Sequence, residues 1–160
     1  MRALVVYDSV YGNTEHVARA IAQAIGAGMD SQWETFAVKV DDLQPQHIAE
    51  VSLLLVGSPT RMFRPTPAIR SWVKGLPAGS LRGVRVAAFD TRLPPEDAPA
   101  FLRFMIKLFG WAAKPIGYGL TKRGGELSAE PEGFYVTGTE GPLQEGELER
   151  AEAWAREIAG

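Results

Sequence analysis

The stretch ALVVYDSVYGNT, residues Ala3–Thr14, decides the predicted fold. Its first five residues form a continuous apolar run, which is typical of a parallel strand covered on both faces. Asn13 and Thr14 can then cap a helix, in which Val17 and Ile21 recur at helical spacing. The sequence therefore predicts a strand and a helix joined by the loop Asp8–Thr14.

Further apolar runs of strand length follow along the chain. Leu53–Val56 (LLLV) and Val84–Phe89 (VRVAAF) have the same buried character, whereas Trp33–Val38 (WETFAV) partly alternates and suits an edge. Ile116–Leu120 and Phe134–Gly138 are the remaining strand candidates. The Gly/Glu-rich stretch between those two candidates predicts a surface excursion that interrupts the final strand.

Helical patterns separate most of these runs. One begins at Thr66-Pro67, where a cap precedes proline at the first helical position. Others extend from Phe101 to Ala112 and from Leu148 to Ile158. Alternating strands and helices predict one domain, residues 1–160, with a doubly wound five-stranded parallel sheet. Ligands of such sheets bind at the carboxyl ends of the strands.

The loop Asp8–Thr14 suits a phosphate. Hydroxyl and amide side chains, a glycine that permits close backbone approach and the N–H groups at a helix N-terminus together favour an anion. The lysine of a P-loop and the three glycines of a dinucleotide fingerprint are missing. No arginine or lysine occurs from Ala3 through Ala18, so neutral donors and the helix dipole would hold the phosphate. The alternative is a simple helix cap without a ligand.

Ser9-Val10-Tyr11-Gly12-Asn13-Thr14 resembles the phosphate loop of the flavodoxin family, Ser/Thr-x-Thr-Gly-x-Thr, with Tyr11 in place of the middle threonine. Tyrosine there is similar to the flavodoxin domains of flavodiiron proteins and to quinone reductases of the tryptophan-repressor-binding type. The stretch Glu140–Leu143 before a helix bearing Trp154 also looks like stand-alone members. The resemblance implies a flavodoxin-like fold and flavin mononucleotide (FMN) as cofactor.

The same resemblance implies two flavin-ring loops. Pro59-Thr60-Arg61-Met62-Phe63 follows the third strand, and Met62 and Phe63 are expected to form a platform for the ring rather than enter the core. Asp90-Thr91-Arg92-Leu93 follows the fourth strand and lacks the family's aromatic residue. Arg61, Arg64 and Arg92 are expected either to favour reduced flavin or to pair with nearby carboxylates.

Composition narrows the function classes. A formal net charge of −2 argues against nucleic acid, and the absence of cysteine excludes disulfides and thiolate sites. Two isolated histidines leave little material for a metal centre. With no apolar run near the length of a membrane span, a soluble cytoplasmic protein is expected.

No general acid, base or nucleophile is recognisable, so no catalytic residue is predicted. The leading interpretation is an FMN-binding electron carrier that exchanges electrons with a partner protein or a small acceptor. One alternative is a small NAD(P)H-dependent FMN reductase of quinone-type acceptors. Another is a flavin-free module that serves interaction or regulation. The sequence leaves the oligomeric state open.

Overall fold

The computed structural model describes residues 1–28 and 32–160. Its strands are β1 Arg2–Tyr7, β2 Glu34–Lys39, β3 Leu53–Pro59, β4 Arg85–Arg92, β5 Glu126–Leu127 and β6 Glu132–Tyr135. Its helices are α1 Asn13–Gly26, α2 Pro45–Ile48, α3 Pro67–Gly75, α4 Ala100–Phe109, α5 Ala113–Lys122 and α6 Glu147–Ala159. No helix of these described residues is both long and apolar enough to cross a membrane.

All strand pairs in the sheet are parallel, in the order β2-β1-β3-β4-β5, and β6 also pairs with β4. The predicted doubly wound parallel sheet is thereby confirmed, with β2 at the expected edge. The fifth position of the sheet is shared by β5 and β6, which pair with successive parts of β4. An interruption is present at residues 128–131, but not where it was predicted, because β5 lies inside the stretch Lys122–Gly133 that was expected to be a surface excursion.

The strand prediction for Ile116–Leu120 is wrong, because these residues belong to α5. Ile116 and Leu120 are four residues apart, so both face the sheet from one side of a helix, and both are buried. Gly119 allows α5 to approach α3, since a Cβ there would lie 2.7 Å from Val73 Cγ1. A short run with glycines fits either a strand or a helix, and tertiary packing decides between them here.

Two buried clusters cover the two faces of the sheet. Alternate residues of β1 separate between them, with Leu4 and Val6 on the α3/α5 side and Val5 on the α1/α6 side. On the α1/α6 side, the rings of Phe89, Phe134 and Trp154 meet edge to face with centroids 6.0–6.3 Å apart. These contacts fix β4, β6 and α6 together at the edge where the strands end.

A carboxylate on α6 holds the end of β6. Glu147 is buried, accepts a hydrogen bond from the Tyr135 N–H at 2.7 Å and pairs with Arg150 at 2.7 Å. Burial alone would raise the pKa of Glu147, but Arg150 and the Tyr135 N–H together hold that pKa below its ordinary value. The folded state therefore favours the ionised carboxylate.

We expect Glu147→Gln to lower the free energy of unfolding by about 1–3 kcal/mol at neutral pH, because it removes a charged acceptor from the partly buried Tyr135 N–H. The depressed pKa adds stability above the ordinary glutamate pKa of about 4.3, and this is lost as pH falls through the folded pKa. The difference in unfolding free energy between wild type and variant should therefore become smaller in acid. Denaturant unfolding at several pH values measures it. Glu149→Gln, on the exposed side of α6, is the matched control, and equal losses in both variants would contradict the assignment.

Candidate functional site

A cavity of about 410 Å³ opens where β1, β3 and β4 end. All of the predicted cofactor-binding residues except Gly12 and Asp90 line it, so one pocket brings three separate loops together. Its size is within the range of small-molecule sites, and its position is the one at which doubly wound sheets bind ligands. The lining residues are Ser9, Val10, Tyr11, Asn13, Thr14, Pro59, Thr60, Arg61, Met62, Phe63, Thr91, Arg92, Leu93, Ala98, Leu102, Ile106, Trp111, Val136 and Thr139.

The loop from β1 to α1 presents backbone donors to this cavity. The Ser9 hydroxyl accepts from the N–H groups of Gly12 and Glu15, at 3.1 and 3.3 Å, and so fixes the turn. Gly12 has φ 92°, a left-handed conformation that glycine adopts without strain. Within residues 1–28 and 32–160, no acceptor is found for the N–H groups of Val10, Tyr11, Asn13 and Thr14. Four N–H groups without a protein partner form a donor set that fits a phosphate.

Side-chain contacts tie this loop to the other walls. The Thr14 and Thr91 hydroxyls are buried and 2.8 Å apart, which joins α1 to β4. The Asn13 side-chain amide donates to the Glu140 carbonyl at 3.1 Å. Gly141 is required beside it, because a Cβ there would lie 2.5 Å from the Asn13 amide. The loop around Glu140, expected from the family resemblance, thus supports the first turn of α1.

The loop after β3 is a tight hairpin. Arg61 and Arg64 exchange two backbone hydrogen bonds of 2.8 and 3.0 Å, and Met62 and Phe63 between them have φ 47° and 68°. Positive φ at two successive non-glycine residues is strained, and such strain clusters at ligand sites. The Phe63 ring packs 5.8 Å from the ring of Phe109 on α4, whereas Met62 is 89% exposed at the cavity mouth. Neither residue enters the core.

Asp90, which was predicted to bind the cofactor, is fully buried and is not among the residues that line the cavity. Its carboxylate is fully buried and binds the Arg92 guanidinium through two hydrogen bonds of 2.6 and 2.7 Å. It also accepts from the Ala113 N–H at 2.9 Å. Arg92 in turn lies 4.4 Å above the ring of Trp111. Asp90 therefore orients Arg92 and Trp111, both of which do line the cavity.

This ion pair changes the electrostatics of the ring loops. Arg92 is neutralised by Asp90, while Arg61 and Arg64 are exposed and have no carboxylate partner in the described parts of the chain. Of the three arginines that were expected either to favour reduced flavin or to pair with carboxylates, Arg92 is paired, and only Arg61 and Arg64 lack a carboxylate partner among the described residues. Burial raises the pKa of Asp90 above the ordinary aspartate range, and the Arg92 guanidinium and the Ala113 N–H oppose that rise.

Sequence reasoning missed six residues of the cavity wall. Four of them come from the region after β4, in which α4 and the Trp111 turn close one side of the cavity. The helical pattern of α4 was visible, but its place beside the pocket was not, because an amphipathic pattern does not say what the apolar face contacts. The missed residues are Ala98, Leu102, Ile106, Trp111, Val136 and Thr139.

The chain is similar to known proteins in its structure. No protein-family model matches the chain, and no curated protein sequence matches it. Flavodoxin 1 from Bacillus cereus superposes with a TM-score of 0.75 at 17% identity, over 99% of this chain and 97% of that one. The chain has the flavodoxin fold.

Two further flavodoxin-fold structures are similar over nearly their whole length. Flavodoxin 2 from Bacillus cereus gives a TM-score of 0.74 at 20% identity, over 99% of this chain and 98% of that chain. The WrbA-like flavodoxin from Agrobacterium tumefaciens gives 0.68 at 18%, over 99% and 94%. At these identities the likeness establishes the flavodoxin fold, and the function has to be argued from the site.

We expect Arg92→Met to cost about 3–5 kcal/mol of unfolding free energy at neutral pH, because it leaves a buried carboxylate unpaired. The pKa of Asp90 then rises further in the folded state, so the folded protein binds a proton that the unfolded chain releases. Stability should fall as pH rises through that folded pKa, and the penalty should be smaller near pH 5 than near pH 8.

Unfolding of this variant by denaturant at the two pH values tests the expectation. The double variant Asp90→Asn/Arg92→Met is the control, since it has no titrating group at this position and should lose the same free energy at both. An equal penalty for Arg92→Met at both pH values would contradict the buried pair.

Proposed function

We propose that this chain is an FMN-binding redox protein that exchanges electrons with a partner protein or a small acceptor. The observation that carries the proposal is a set of four N–H groups, at Val10, Tyr11, Asn13 and Thr14, which have no acceptor among the described residues. All four residues line a cavity at the carboxyl ends of parallel strands. No cation lies in that loop, so the donors suit a monophosphate better than a polyphosphate.

The residues divide into two groups by what they would hold. Ser9–Thr14 would bind the phosphate, with Ser9 and Gly12 fixing the turn and Thr14 positioned by Thr91. Pro59–Phe63 and Thr91–Leu93 would hold the ring from its two sides. Bound FMN supplies the one- and two-electron chemistry, so the protein's part is binding, orientation and charge.

Charge around the ring loops bears on the direction of electron flow. Arg61 lines the cavity without a carboxylate partner among the described residues. A cation there would favour a reduced, anionic flavin over the oxidised form. The proposal is therefore a carrier of moderate rather than very low potential, working in the cytoplasm as composition predicts.

We expect Thr14→Val to weaken FMN binding about tenfold or more, because it removes a hydroxyl that a charged phosphate can use and that fixes the loop on Thr91. Riboflavin, which has no phosphate, should bind wild type and variant with similar affinity. Fluorescence titration of wild type and variant with each flavin gives the four dissociation constants. Thr121→Val is a matched control, since its hydroxyl bonds the Tyr118 carbonyl on α5, away from the cavity.

A protein that stays colourless and does not take up FMN would refute the proposal and favour a flavin-free interaction module. Equal FMN affinity in wild type and Thr14→Val would refute the phosphate assignment alone. The two failures are therefore distinguishable in a single titration series.

A second candidate is an NAD(P)H-dependent reductase of quinone-type acceptors. The observation that favours it is the apolar wall of Leu102, Ile106 and Trp111 beyond the ring loops, which offers a surface to a flat apolar acceptor. Anaerobic mixing with NADPH decides between the two. Bleaching of the flavin absorbance within seconds favours the reductase, and an unchanged spectrum favours the carrier.

A further inference from the structure

Helix α4 exposes several large apolar side chains close together. None of its ten residues is buried, and all ten are described. Phe101, Phe104, Leu108 and Phe109 are 57–69% exposed. Contiguous apolar surface of this kind marks an interaction site in a folded protein.

The two sides of α4 have different surroundings. Leu102 and Ile106 line the cavity and so face the protein. Phe101, Phe104 and Leu108 follow the spacing i, i+3, i+7, which places them along the opposite side of the helix. The apolar surface continues past the end of the helix, because Phe109 contacts Phe63 and Met62 beside it is 89% exposed.

Positive charge accompanies this face. Arg103 and Lys107 lie one turn apart on the third side of α4, exposed and without an ion pair to any described residue. Lys114 follows, and no aspartate or glutamate occurs from Ala98 through Gly125, although the whole chain has a net charge of −2. The Arg61–Arg64 hairpin adds two further unpaired cations beside Phe109.

We propose that α4 is an interfacial helix that docks this protein on an anionic lipid bilayer, with the mouth of the cavity turned toward the lipid surface. Phenylalanine and leucine on one face with arginine and lysine beside them is the pattern of helices that lie in the membrane interface. The cations would contact anionic headgroups, while Phe101, Phe104 and Leu108 enter the acyl boundary.

A protein partner suits this surface less well. A ten-residue helix is about 15 Å long, whereas a stable protein interface uses about 20–30 residues on each side. A bilayer needs no complementary shape, because each apolar side chain inserts separately and the helix already satisfies its own backbone. This inference goes beyond electron transfer and does not depend on the identity of the cofactor.

The test is cosedimentation of the full chain with vesicles of phosphatidylcholine containing phosphatidylglycerol, and with vesicles of phosphatidylcholine alone. We expect binding to the anionic vesicles that falls with added salt, and at least about tenfold weaker partition to the neutral ones. Phe101→Ser/Phe104→Ser/Leu108→Ser should abolish binding. Its matched control, Tyr118→Ser/Leu127→Ser/Leu148→Ser, changes exposed apolar residues elsewhere and should bind like wild type.

Charge is tested separately. Arg103→Glu/Lys107→Glu should lose anionic-vesicle binding at least about tenfold, whereas Arg70→Glu/Lys74→Glu on α3 has the same residue types and spacing and should lose little. Unchanged unfolding midpoints show that each variant folds.

Absence of vesicle binding by wild type, or equal binding by the α4 triple variant, would overturn the proposal. A wild-type dimer in light scattering that the triple variant dissolves, without vesicle binding, would overturn it in favour of a second copy of the chain.

Discussion

Within residues 1–28 and 32–160, no acceptor pairs the backbone N–H groups at the start of α1 and in the loop before it. The function proposed for the molecule depends on that constraint. Unpaired donors in a folded protein are costly unless water or a ligand takes them. Here the turn is fixed by Ser9 and by the left-handed Gly12, and it is anchored to β4 through Thr14 and Thr91. The loop is thus held in a conformation in which these N–H groups do not bond to the carbonyls of the loop itself.

The remaining walls depend on a second constraint, the buried pair of Asp90 and Arg92. A carboxylate with no exposure at the end of β4 holds a guanidinium against Trp111 and also accepts from the first turn of α5. One ion pair therefore positions the ring-loop arginine, the Trp111 wall and a helix start. Because it neutralises Arg92, the unpaired positive charge of the site belongs to Arg61 and Arg64, at the mouth of the cavity beside α4.

Much of this architecture could be predicted from the sequence, since the apolar runs of β1, β3 and β4 and the loop Asp8–Thr14 carry strong local signals. The predicted site residues came from loops at strand ends, and the topology brings nearly all of them to one cavity. Ile116–Leu120 could not be assigned by pattern, because a short apolar run with glycines fits a strand or a helix and only its packing in the fold decides between them. The sequence places Asp90 in a loop at a strand end, but it does not show that the side chain is buried and pairs with Arg92.

Helix α4 was predicted in part. Its pattern predicted a helix, yet nothing in the pattern showed that one side would close the cavity and the other would remain exposed. Its placement joins the cavity to an apolar, cationic surface, so the proposed flavin site and the proposed docking face involve neighbouring residues. A variant made at either surface should therefore be measured for both FMN binding and vesicle binding.

The proposed function requires that the N–H groups of Val10, Tyr11, Asn13 and Thr14 hold the phosphate of FMN. The most direct test is amide proton and nitrogen NMR of the labelled protein as FMN, and separately riboflavin, is added. We expect the amide resonances of Val10, Tyr11, Asn13 and Thr14 to move strongly downfield with FMN and much less with riboflavin. Equal shifts with the two flavins, or shifts confined to other parts of the chain, would contradict it.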